Sequence, residues 1–162
     1  MKLDTAINEV QDAEVALASK LSEIGERHAA EHDLYHLSHT LVRQGADHLR
    51  RLVPFGDSYG TAVRPHRIGD SPGMLASVRH TASDVTGRSE SSGLPLLRDL
   101  RQLYLVAQEA ELAWLILAQA ARAVRDHELL QVATSCQEDA EARGTWLRTR
   151  IKETAPQALA TG

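Results

Sequence analysis

Apolar residues near the start of the chain fall at Leu3, Ile7, Val10, Leu17, Leu21 and Ile24, spaced by alternating threes and fours or their sums. That is the period of a helix burying one face. Glu14 and His28 occupy two further places on the same stripe. The predicted helix, from about Asp4 to about Ala29, therefore carries polar groups in its seam. Asp33 is expected to cap a second helix, its carboxylate accepting from the orphaned amides of the next turn. That helix aligns Leu34, Leu37, Leu41, Gly45, His48 and Leu52 and is expected to stop before Pro54, whose ring and missing N–H oppose continuation.

Glycine and proline then dominate from about residue 55 to 93, which predicts a long connection with one short helix from Pro72 to about Asp84. Pro95 opens a third helix running to about Arg125, with Leu100, Leu103, Ala107, Glu111, Trp114, Ala118 and Ala121 along one side. Asp126 is expected to cap a fourth, which carries Leu129, Ala133, Cys136, Ala140, Gly144, Leu147 and Ile151. Pro156 marks its expected end, leaving residues 156–162 as a tail and residues 1–155 as one bundle domain.

Composition narrows the function classes. With 162 residues, 43% hydrophobic and 25% charged, the chain can bury a core of its own. Aromatic residues are only 4%, which disfavours an all-β fold. A net charge of -4 without any block of Lys or Arg removes the electrostatic footprint of a nucleic-acid binder. The longest apolar stretch, Leu112 to Ala118, is too short to span a membrane, and no signal-peptide pattern opens the chain. Cys136 is the only cysteine, so no internal disulfide forms, and a cytoplasmic location is expected. Its place in a core stripe points to packing rather than reactivity.

Helical hairpins joined by a crossover of nearly forty residues predict an all-α four-helix bundle of the single-crossover kind. In that layout, in Glu128-Leu129-Leu130 and in the run Trp146-Leu147-Arg148-Thr149-Arg150-Ile151-Lys152-Glu153-Thr154-Ala155-Pro156-Gln157-Ala158-Leu159, the chain resembles small bacterial members of the ferritin-like superfamily. The resemblance implies a search for metal ligands, one Glu from each of two helices and a Glu-x-x-His pair from each of the others. On that pattern the first helix supplies Glu14 and the second Gly45-Ala46-Asp47-His48, keeping the histidine and lacking the carboxylate. The third supplies Glu111 and the fourth Glu141-Ala142-Arg143-Gly144, keeping the carboxylate and lacking the histidine.

Glu14 and His48 lie equally far from Glu31 at the first turn, and Glu111 and Glu141 equally far from Asp126 at the last, so each pair is expected at one level. Glu14, His48, Glu111 and Glu141 would suit a single Fe, Mn or Zn ion, whereas a standard two-iron centre lacks half its bidentate ligands. The alternative is a vestigial site holding a buried Glu14–His48 ion pair.

Histidines 28, 32 and 36 have the i, i+4 spacing that clamps a metal on a continuous helix, and His28 and His32 are the secondary candidates. The turn expected at Asp33 breaks that continuity, and His36 and His39 fall away from the leucine stripe. A hemerythrin-like centre fails because the last two helices offer only His127.

Leu105, Leu112 and Ile116 lie almost opposite the seam of the third helix and need a cover, either the crossover or, as expected, the partner in a homodimer. Two functions stay open: a metal protein handling oxygen or peroxide, and a non-catalytic stress, scaffold or partner-binding bundle.

Overall fold

The computed structural model describes residues 2–65 and 93–160. These residues form four helices: α1 (Leu3–Arg27), α2 (His32–Ser58), α3 (Gly93–Val124) and α4 (His127–Leu159). There is no strand among the described residues, so the protein is all-helical in its described part. No helix there is long and apolar enough to cross a membrane.

Most positions of each seam found in the sequence are buried, with His28, Leu37, Glu111 and Ile151 only partly so. On α1, Leu3, Ile7, Val10, Glu14, Leu17, Leu21 and Ile24 are all buried. Leu34, Leu41, Gly45, His48 and Leu52 from α2, and Leu100, Leu103, Ala107, Trp114, Ala118 and Ala121 from α3, close on them. The core is mostly Leu and Ala, with Trp114 its bulkiest fully buried side chain, so small residues let the helices approach closely.

Adjacent helices run antiparallel, α1 against α2 and α3, and α4 against α2 and α3. The C-terminal end of α1 meets the start of α3 where Arg27 donates to Asp99 at 2.8 Å. The start of α2 meets the far half of α4, where Arg150 donates to Glu31 at 2.8 Å. Beyond α2, Thr61 donates to Asn8 Oδ1 at 2.7 Å, so α2 ends beside the start of α1. Thus α2 finishes at one end of the bundle and α3 begins at the other. The short helix expected from Pro72 to Asp84 lies outside the described residues.

Two helix ends differ from expectation. Helix α2 continues through Pro54 to Ser58, and α4 through Pro156 to Leu159. Each proline removes only its own N–H bond, and tertiary contacts hold the following turn. After Pro54, the Thr61 amide returns to the Gly56 carbonyl at 2.9 Å, and the Tyr59 hydroxyl donates to Asp126 at 2.8 Å. After Pro156, Ala158 packs directly on Gly93 at the start of α3. Residues 156–159 are therefore helix rather than tail.

Asp126 caps α4 as expected, its side chain accepting from the Leu129 amide at 2.9 Å. Asp33 does not cap α2, which begins at His32 after Glu31. Both carboxylates face Arg150 of α4 instead, at 2.8 Å for Glu31 and 3.4 Å for Asp33. Near the positive end of the helix dipole they stabilise α2 without a capping bond.

Candidate functional site

Two of the polar places in the seams, Glu14 and His48, meet at mid-height of the bundle together with Trp114 and Arg143, so that each described helix contributes one buried group. Glu14 comes from α1, His48 from α2, Trp114 from α3 and Arg143 from α4. Glu14 is 2% exposed, His48 1% and Arg143 3%, so the charges sit in the core rather than at its edge. A carboxylate at that depth survives only if its lone pairs are satisfied.

They are. Arg143 forks onto Glu14, donating from Nη2 to Oε1 at 2.7 Å and from Nη1 to Oε2 at 3.1 Å. Trp114 Nε1 donates to Oε1 at 2.7 Å. His48 Nδ1 lies 3.3 Å from the same oxygen, while its Nε2 lies 2.9 Å from Asp139 Oδ2 at the bundle surface. Carboxylates only accept, so both His48 contacts are met at once only by the doubly protonated ring. With the ring in that form, two carboxylates would face two cations. The rings of His48 and Trp114 meet edge-on, with centroids 5.7 Å apart.

Burial pushes the Glu14 carboxyl up, but the hydrogen bonds from His48 and Arg143 and their positive charge outweigh it. The group is held well below the ordinary carboxylate range.

Gly45 and Gly144, which stand where the metal-binding pattern would have side chains, make room for this arrangement. A Cβ on Gly45 would lie 2.9 Å from Glu14 Oε2, and one on Gly144 would lie 2.5 Å from Gln108 Nε2. That Gln108 amide donates to Glu111 Oε2 at 3.0 Å.

Of the four expected ligands, the structure brings Glu14 and His48 together. It leaves Glu111 paired with Gln108 beside Gly144, and Glu141 exposed on the surface of α4. The four do not form one donor set. Among the described residues, no group of three or more His, Cys, Asp and Glu is placed to hold a metal ion. Glu14, the best-placed donor, already has both oxygens engaged by a guanidinium. The described residues therefore do not fit a metal.

The secondary candidates also separate. His28 follows α1 and turns to Asp99 at 2.7 Å, whereas His32 is exposed as the first residue of α2. His36 and His39 are exposed and pack against Tyr35. Cys136 is buried, and burial pushes its thiol up to about 12, which keeps it unreactive.

Arg143 and Asp139 are the partners that the sequence reading overlooked. A strict alternation of fours and threes on α4 runs Leu129, Ala133, Cys136, Ala140, Arg143, Leu147. It puts the arginine, not Gly144, on the seam. The signal was present, and a buried arginine should prompt a search for its carboxylate.

No family profile, no curated protein and no solved structure matches the chain.

Proposed function

We propose that this is a ferritin-like bundle in which a charge network stands where the superfamily keeps its metal, and that it works as a non-catalytic, partner-binding scaffold. The end of α2 and the start of α3 lie at opposite ends of the bundle and all neighbouring helices are antiparallel, which supports the ferritin-like assignment, since that fold pairs two antiparallel hairpins in this way.

The observation that carries the functional reading is the Arg143 fork on Glu14. A divalent ion held by Glu14 would stand next to a permanently charged guanidinium. At a separation of about 4 Å and an effective dielectric constant of about 20, that repulsion costs roughly 8 kcal/mol. A metal would also have to displace two charge-assisted hydrogen bonds already made. The cluster instead acts as a latch that fixes how the four described helices meet, and leaves the outer faces to bind partners.

Elemental analysis of protein purified without chelator tests this reading. It predicts Fe, Mn and Zn far below one ion per chain. Near-stoichiometric metal that disappears in His48→Ala would overturn it.

A further inference from the structure

The outer surface between α1 and α3 carries a feature that the core does not explain. Leu105, Leu112 and Ile116 are each more than half exposed, at 58%, 55% and 51%. They form a ridge about 17 Å long at the helical rise. Beside that ridge lies a cavity of about 540 Å³ along the α1–α3 groove, with Ala13 and Ala16 from α1 opposite Leu112 and Ile116. Small residues on one wall and branched ones on the other leave room for a Leu- or Ile-sized side chain from outside.

The groove is charged on one sign only. Glu9 and Asp12 of α1 and Glu109 of α3 line it, and no Lys or Arg does. All three carboxylates are exposed, and none has an ion pair with a described residue. On the same helix Glu14 and Glu23 are matched by arginines, Glu14 by Arg143 and Glu23 by Arg27, each at 2.7 Å.

Resting on the partner-binding reading above, we infer that the α1–α3 groove docks an amphipathic helix with a Leu/Ile face flanked by lysines or arginines. Such a helix would lay apolar side chains into the cavity and against the ridge, with its cations reaching Glu9, Asp12 and Glu109. The charge selects a cationic occupant over an acidic one. The homodimer expected from the sequence would cover the same residues, but a second copy laid two-fold on the groove would bring one all-acidic lining against another. An anionic lipid surface is repelled for the same reason.

The probe is a labelled peptide of about 18 leucines and lysines, long enough to lie along the ridge, with the leucines at helical period. A peptide with glutamate in place of lysine is the control. Full-length protein should bind the lysine peptide at least about tenfold more tightly than the control, and binding should weaken as salt is raised. Leu112→Ser with Ile116→Ser should weaken it about tenfold or more while leaving the melting temperature of the free protein unchanged within a few degrees. Glu9→Lys with Asp12→Lys should shift the preference toward the glutamate peptide.

The proposal is overturned if the two peptides bind equally, or if the serine variant binds as well as wild type. It is also overturned if the protein sediments as a dimer that Leu112→Lys dissociates, since the occupant is then a second copy. Failure here leaves the reading of the charge cluster standing. That reading falls separately, on metal content.

Discussion

Replacing Arg143 with methionine removes the guanidinium and keeps most of the side-chain volume, so the consequence for Glu14 can be worked out almost alone. The carboxylate, 2% exposed, would keep Trp114 and His48 but lose both charge-assisted bonds from Arg143. Removing one partner of a buried pair costs about 3–5 kcal/mol because the other is left uncompensated. For a chain of this size that lowers the melting temperature by roughly 6–20 °C.

Glu14→Leu should cost at least as much, since it strands Arg143 and leaves Trp114 Nε1 without its acceptor. The double variant, Glu14→Leu with Arg143→Met, strands no guanidinium or carboxylate but leaves both the indole N–H and His48 Nδ1 without their acceptor, at about 1–3 kcal/mol each. It should therefore be more stable than Glu14→Leu alone and cost clearly less than the sum of the single variants, with a coupling energy of at least about 3 kcal/mol by urea unfolding. If the single losses simply add, or if Arg143→Met costs less than about 1 kcal/mol, the cluster is not a buried network and the reasoning fails.

Three further outcomes follow from neighbouring contacts. The folded-state pKa of Glu14 lies below its ordinary value of 4.5, so its contribution is complete above pH 4.5 and is lost as pH falls below it. Between about pH 4 and 2, wild type should lose up to about 1.4 kcal/mol per pH unit more than Glu14→Gln, and parallel acid-unfolding curves would contradict this. Gly45→Ala, which in an open helix would gain about 1 kcal/mol, should instead cost about 1–3 kcal/mol by pressing on Glu14 Oε2. A rise in melting temperature would show that the carboxylate has room to spare. Asp126→Ala removes both the α4 cap and the acceptor of Tyr59, and should cost about 1–2 kcal/mol in thermal unfolding, whereas a change of a few tenths would mean that the cap is redundant.

Periodicity carried most of the fold, because a buried stripe leaves a period-3.6 record that single polar residues do not erase. Glu14 and His48 stood out for that reason, and counting from the turn placed them at one level. The helix ends were less legible. Pro54 and Pro156 read as stops locally, and the contacts that override them, Tyr59 with Asp126 and Ala158 with Gly93, come from distant parts of the chain. Asp33 was misread because Arg150, which takes its charge, is equally remote in sequence.

The candidate site was half legible. A metal pattern looks for carboxylates and imidazoles, so it passed over the cation beside Glu141. Glycine at 45 and 144 read only as lost ligands, although each also leaves the space that a neighbouring polar side chain fills.

The central claim is that Arg143, not a metal, neutralises Glu14 at the heart of the bundle. It is tested most directly by the melting temperature of chelator-treated wild-type protein, measured alone and then with Fe(II), Mn(II) or Zn(II) in turn. Because a ligand bound only by the folded state must raise stability, the account predicts the same melting temperature in all four samples to within a degree or so. A saturable rise of several degrees with any of the three ions, abolished by Glu14→Leu with His48→Leu, would contradict it.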